Sequence, residues 1–571
     1  MQATPQWDEE RDVIVIGSGA GGMAAAFVAA NEGLDALVIE KEPVYGGSTA
    51  VSGGAIWIPN NSQMAALGIA DSTEAALEYL EHTAGNRTSR EMKLTYLDNA
   101  PRMAEYFERH SDLKLVAREH SPDYHPDLPG ARLGGRTMDP ADFDGRLLGA
   151  EFERLRPPLP QFTILGGMMV GRTDIPHLMR FTKSLTSFGY VLRLVLRYAA
   201  DRLRYSRGTR LVLGNALAAR LRLSLMRKNV PVWLSTPAED LVTENGRVVG
   251  VHVRRNGRRL ALKARRGVVL ASGGFPANAD MRRNLLPPES EAVYSMPPSG
   301  NVGDGIRLGE AVGGSLGAQN AHNAFWTPVS IMRLPDGNVR RFPHLITDRA
   351  KPGLIAVNGA ARRFVNEACS YHDFVVAMLE SHKTVPSIPA YLICDAEFLR
   401  RYGFGMIRPT RRPARIYFET GYLVSGPDIA TLGRQLGLDP NALAETVERY
   451  NALARSGSDT DFGKGSTAYN RYLGDPENKP NPCLRPLEAP PFYAVKVYPG
   501  DIGTSCGLLT DTWARVLGKD GAPVPGLYAV GNDMNSVMGG NYPGAGITLG
   551  PALTFGYLAG LHLAGKAGAA A

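Results

Sequence analysis

Gly17, Gly19 and Gly22 fall in the run Gly17-Ser-Gly19-Ala20-Gly-Gly22, a spacing that cradles a pyrophosphate. Gly17 permits the tight turn, Gly19 lets the backbone approach the phosphates, and Gly22 lets a helix pack on a strand. Glu40 follows at the distance of a ribose-binding carboxylate, and ending a buried strand it is expected to have no other partner. Hydroxyls and small residues crowd the loop Glu42–Gly54, which can run close along a planar ring system. Near the other end, Met538–Pro551 carries Tyr542 and Gly546 among glycines and prolines, without Arg, Lys or His. A site built there suits a neutral substrate, because gripping a carboxylate takes a cation such as a bidentate arginine.

The elements that must position these groups are legible. Asp12–Gly17 is an apolar, β-branched run that reads as a buried parallel strand, and the Ala-rich Met23–Ala30 after the glycines reads as a helix. Ala36–Glu40 is a second strand, and Pro525–Asn532 a late one ending in Gly531 and Asn532. The loop at 42–54, the strand at 525–532 and Val268–Phe275 together resemble the fumarate reductase/succinate dehydrogenase flavoprotein superfamily. That resemblance implies an α/β fold: a Rossmann-type FAD-binding domain assembled from both chain ends, with an inserted α+β substrate domain. The expected division is 1–280 and 494–571 for the FAD domain and 281–493 for the insert. The glycine-rich loop has no histidine, so the FAD is expected to be noncovalent. Its expected contacts are Gly17, Gly19, Ala20, Gly22, Glu40, Lys41, Gly47, Ser48, Thr49, Ser52, Gly53, Gly54, Ala238, Gly273, Asn532 and Leu549. No metal is expected.

Asn541-Tyr-Pro-Gly-Ala-Gly546 further resembles the Tyr-Pro-Gly-x-Gly motif of the 3-ketosteroid Δ1-dehydrogenases. So do Pro122–Gly130, Arg363–Tyr371, Val497–Gly507 and Pro551–Gly560. Carried over position by position, the resemblance implies that Tyr542 and Gly546 hold the substrate carbonyl, Tyr371 abstracts the proton and Tyr124 assists it. The chemistry is coherent: a hydroxyl and a backbone N–H aimed at the ketone oxygen form an oxyanion hole for an enolate. A tyrosine, with an ordinary pKa near 10, needs help to act as base. The flavin, through N5, accepts the hydride from the neighbouring carbon. The product expected is a 1,4-dien-3-one. Alternatives are a 3-oxo-5α-steroid 4-dehydrogenase, a fumarate-reductase-like dicarboxylate enzyme and a noncatalytic electron-transfer module. An external electron acceptor is required, a quinone among the candidates.

With 571 residues the chain exceeds one ordinary core, and its composition is that of a globular protein. The acidic, polar start Met1–Glu10 is not an ordinary signal peptide, and the four scattered cysteines read as reduced cytosolic thiols. The net charge of +7 is concentrated: 180–207 holds seven Lys/Arg against Asp201. So local an excess argues against a nucleic-acid surface. Within it, Leu192, Val195, Leu196, Ala199 and Leu203 recur at helical spacing beside Arg193, Arg197 and Arg204. This is an amphipathic basic helix, lying either on an anionic membrane surface or on the domain with its basic face solvated. The expected location is cytoplasmic, at the inner membrane face in the first case.

Overall fold

The computed structural model describes residues 6–566; Met1–Pro5 of the polar start and 567–571 of the expected third segment lie outside the described residues. Strand β1 (Glu9–Ile16) buries Val13–Ile16. It pairs in parallel with β2 (Ala36–Ile39) on one side and β3 (Arg258–Leu270) on the other. β-Branched side chains on both faces suit such a doubly covered position. The last turn of β3 takes up a further parallel strand, β4 (Pro523–Ala529), from far along the chain. Val232–Trp233 extends the sheet beyond β2, and the hairpin Ala238–Glu244/Arg247–Arg255 adds antiparallel strands beside β3, giving eight strands in all. The first helix (Ala20–Asn31) is buried from Ala20 to Ala29 and packs on the late helix Leu549–Leu563. The parallel sheet and its helices are thus completed by residues more than 500 positions apart.

A second sheet of six strands is antiparallel throughout, centred on the long strand Phe492–Thr504 between Ala324–Arg333 and Ala390–Asp395. This corrects the expected edge at 493/494, because pairing continues from Phe492 to Thr504 and keeps the whole strand in the insert's sheet. The expected edge at 281 is blurred as well. Helix Asp304–Ala311 lies against β3, and Lys41 reaches Asp304 at 2.5 Å.

The basic segment forms a helix over Leu185–Asp201, so Leu203 and Arg204, expected on it, lie just past its end. Its polar anchors are buried, while one row of apolar side chains is exposed and Val191, Leu194 and Val195 are half-buried. Ser187 and Asp201 are inside, while Leu185 is 91% and Leu196 60% exposed. Asp201 accepts from the Thr209 amide and hydroxyl at 2.8 and 2.9 Å, which fixes the helix end to the fold. None of the helices is long and apolar enough to cross a membrane among the described residues.

Candidate active site

One cavity of about 440 Å³ runs from the glycine loop at the head of β1 to a cluster of tyrosines at the border of the two sheets. All twenty residues singled out from the sequence line it.

At the glycine end the wall is backbone. Gly17 has φ +110°, and a Cβ there would sit 2.2 Å from the Ala271 carbonyl oxygen. A Cβ on Gly22 would meet the Gly17 oxygen at the same distance, so both positions are closed to any other residue. A Cβ on Gly19 would find nothing nearer than the Thr49 hydroxyl at 3.7 Å, leaving the close approach that a phosphate requires. The first helix begins at Gly19 without a side-chain cap, and so does the late helix at Thr548. Two helix N-termini therefore face the cavity, the first with its Gly21 and Gly22 N–H groups unpaired among the described residues, which suits an anionic dinucleotide. The residues fit FAD.

Glu40 departs from expectation. Far from lacking partners, its Oε2 accepts from the Ser18 amide at 3.1 Å and hydroxyl at 2.5 Å, and its Oε1 from the Glu42 amide at 3.0 Å. Ser18 Oγ in turn accepts from the Gly46 amide at 3.1 Å. Glu40 is thus the peg joining the phosphate loop to the loop after β2. A carboxylate accepts about four hydrogen bonds, so Oε1 keeps a lone pair for a ribose hydroxyl. Thr49 accepts from the Ala20 amide at 2.9 Å, and Ser52 Oγ donates to the Thr49 carbonyl at 2.8 Å. Asn301, missed in the sequence, donates to Ser48 Oγ at 3.0 Å and to the Gly273 carbonyl at 3.2 Å. Its glycine-rich surroundings, Gly300-Asn-Val-Gly-Asp-Gly305, were the available signal.

At the other end the wall is side chain. Tyr371 opens the helix Tyr371–His382, with Ser370 as its cap accepting from the Asp373 amide. The Tyr371 and Tyr124 hydroxyls share a hydrogen bond of 3.1 Å. Tyr542 packs 5.0 Å from the Tyr371 ring and stacks 5.6 Å from Tyr124. All three are buried. Burial raises the Tyr371 pKa well above its ordinary value. Burial likewise pushes Tyr542 up to about 12 and Tyr124 higher, while Arg118 pulls Tyr124 down. Opposing this at Tyr371 is the positive end of its own helix, which favours an anion. Gly546 has φ +99°, and its N–H has no protein acceptor among the described residues. Unpaired beside Tyr542, that amide is free for a ligand oxygen.

A buried ionic frame holds the cluster. Asp123, next to Tyr124, accepts from Trp57 Nε1 and Arg136 Nη1, each at 2.8 Å. Arg136 also clasps Asp71 through two bonds of 2.7 and 2.9 Å. The Tyr124 amide and the Tyr79 hydroxyl both donate to the Pro543 carbonyl, at 2.9 and 2.6 Å, which locks Tyr124 beside Tyr542. On the insert side, Arg363 pairs with Glu367 and Asp459, both at 2.8 Å, and Arg349 holds the Glu367 and Cys369 carbonyls leading into Tyr371. Tyr469, from helix Ala468–Leu473, packs 4.7 Å from Tyr124 and carried no sequence signal.

Cations also reach this cavity, which the run 538–551 did not foretell. Arg118 is neutralised by two bonds to Asp139 of 2.5 and 2.7 Å, and Arg156 lies 3.9 Å from Glu42. Arg172 donates to the Tyr472 hydroxyl. Most of the remaining outer wall is apolar, with Leu159, Phe162, Val170, Phe342 and Leu345 beside Gln161 and Thr347.

The pattern of the FAD binding domain family matches residues 12–549. The chain is 40% identical to the 3-oxosteroid 1-dehydrogenase of Mycobacterium tuberculosis over 571 aligned positions, 98% of this chain and 99% of that one. It is 39% identical to the 4-oxocyclohex-2-ene-1-carboxylate 5-dehydrogenase of Sinomonas cyclohexanicum, over 98% of this chain and 94% of that one. Among solved structures, the 3-ketosteroid Δ1-dehydrogenase of Sterolibacterium denitrificans in complex with 1,4-androstadiene-3,17-dione superposes with a TM-score of 0.91 at 42% identity. That match covers 98% of this chain and all of that one.

Proposed function

We propose a reaction from one premise: this chain belongs to the FAD binding domain family, groups with its 3-oxosteroid 1-dehydrogenases, and is an FAD-dependent oxidoreductase. The reaction is 1,2-desaturation of a 3-oxo-4-ene steroid. The observation that carries it is the tyrosine cluster, with Tyr371 hydrogen-bonded to Tyr124 beside the Tyr542 hydroxyl and the unpaired Gly546 amide, in an apolar-walled cavity. In this reading Tyr542 and Gly546 hold the 3-oxo oxygen and stabilise the charge that develops there. The C2 hydrogen becomes acidic, and Tyr371 takes it as a proton. The helix N-terminus at Tyr371 and the Tyr124 hydroxyl stabilise the tyrosinate that must form. Noncovalent FAD, when bound, supplies the acceptor for the hydride that leaves C1. The sixteen residues named for the cofactor would hold it, Glu40 through its spare lone pair.

Anaerobic mixing of the holoenzyme with androst-4-ene-3,17-dione should bleach the flavin and yield the 1,4-diene. No bleaching by any 3-ketosteroid would refute the reading. A 4,5-desaturation of the 5α-steroid needs the same carbonyl clamp, so product analysis with the 5α-substrate separates the two.

The exposed apolar row on helix Leu185–Asp201, flanked by Arg193 and Arg197, supports a membrane-surface role for 180–207. Because Asp201 and Arg207 are tied into the fold, the test replaces the exposed side chains and leaves the segment in place. Leu185→Gln, Phe188→Gln, Leu192→Gln and Leu196→Gln together should release the protein from anionic vesicles, and unchanged partitioning would refute the contact.

A further inference from the structure

Arg172 is the cavity cation left without an acid. Lys41 has Asp304, Arg118 has Asp139 and Arg156 has Glu42, but no carboxylate lies within 4.0 Å of the Arg172 guanidinium among the described residues. The nearby Asp174 is fully engaged by Arg210, Tyr190 and the Gly171 amide. One Arg172 nitrogen donates to Tyr472, whose ring lies 5.7 Å beneath the guanidinium. Since Tyr472 Oη accepts that bond, its own proton is free to donate. Arg172 also lies one turn from Ile175, which lines the cavity at its open rim, where Ile175 and Ile346 are 48% and 43% exposed. A guanidinium in the cavity wall without an acid partner, backed by a phenolic O–H, in a wall that also presents Phe162, Val170 and Leu345, is a fork for a carboxylate.

We propose that Arg172 and Tyr472 form a carboxylate-binding subsite at the rim, selecting 3-ketosteroids whose side chain ends in a carboxylate. The inference rests on the ketosteroid reading above for the identity of the body that fills the cavity. Its test uses the FAD-loaded enzyme with three substrates: a 3-oxo-4-ene steroid bearing a side-chain carboxylate, its methyl ester, and the 17-ketone. The wild type should turn over the acid with a kcat/KM about tenfold above that of the ester. Arg172→Gln should lower the value for the acid by about 10- to 100-fold and change the ester and ketone less than about twofold. Arg172→Lys should fall between, because it keeps charge and loses the fork. Equal use of acid and ester by the wild type would overturn the subsite, as would an equal loss on all three substrates in Arg172→Gln. If no steroid were turned over, the desaturase reading would fail, and calorimetric binding of acid against ester to wild type and Arg172→Gln would still decide the subsite. An Arg172-dependent preference for the acid would uphold it, and none would overturn it.

Discussion

At the nucleotide end of the cavity the wall is largely main chain, and most of its contacts join residues about 30 positions apart or fewer, such as Ser18 to Glu40, Ala20 to Thr49 and Gly46 to Ser18, with Asn301 reaching Ser48 from farther along the chain. At the tyrosine end the wall is made of side chains drawn from residues 124, 371 and 542, with Tyr469 packed behind Tyr124, from four separate parts of the chain. The first end has its shape from steric necessity, since any Cβ at Gly17 or Gly22 strikes backbone. The second has its shape from a buried scaffold of ions and hydroxyls, in which one altered group displaces its neighbours. The nucleotide end should therefore fail all at once, and the tyrosine end by degrees.

Four substitutions probe that contrast, from the largest effect down. Gly17→Val should abolish the holoprotein, read as loss of flavin absorbance per chain, because the left-handed φ and the Ala271 carbonyl both exclude a side chain. A yellow, folded Gly17→Val protein would break the comparison. Tyr371→Phe should keep full flavin and lose about 10²- to 10⁴-fold in turnover, the usual worth of a general base. Asp123→Asn should lower stability by about 2 kcal/mol in chemical denaturation, since Arg136 keeps Asp71 but loses a charge-assisted bond. It should also slow turnover through the displaced Tyr124, with the flavin still bound. Tyr124→Phe should have the mildest effect, a shift of the pH–rate profile.

The sign of that profile follows from the raised pKa values. Tyr371 and Tyr124 are neutral at pH 7, so the rate should climb with pH toward 10; Tyr124 donates its hydroxyl proton to Tyr371 Oη, so removing that hydroxyl should displace the climb to higher pH. Stability should run the other way. Tyr542 is protonated up to about 12 when folded but ionises near 10 when unfolded, so its contribution is complete below pH 10 and is lost between about 10 and 12. A pH-independent rate in Tyr124→Phe would show that Tyr371 is not the base.

The same contrast explains what could be read in advance. The glycine spacing, both strands and the helix follow from local sterics, so the sequence carries them in full. Glu40 was placed correctly on the chain, but its bonds to Ser18 were invisible because serine is not diagnostic. The tyrosines were found through motifs, since nothing in one chain of 22 tyrosines marks three that meet in one cavity from distant parts of the chain. Arg118, Arg172 and Tyr469 carried no motif and needed the fold. The helix at 185–201 was legible as amphipathic, but not that its fully buried residues would be Ser187 and Asp201 with Leu185, Leu192 and Leu196 outward.

The pairing of β4 with β3, and of the late helix with the first, also orders events during synthesis. When Leu270 leaves the ribosome, its partner Leu527–Ala529 is still about 250 residues from being made, and the sheet edge it will cover is bare. The antiparallel sheet of the insert, complete once Thr504 has emerged, can close in the meantime. The cofactor end of the cavity is complete only after the late helix has docked on the first, because one of the two helix N-termini facing the cavity belongs to it. A nascent chain stalled before Leu549 should thus carry Tyr371 and the insert that holds it, yet remain colourless.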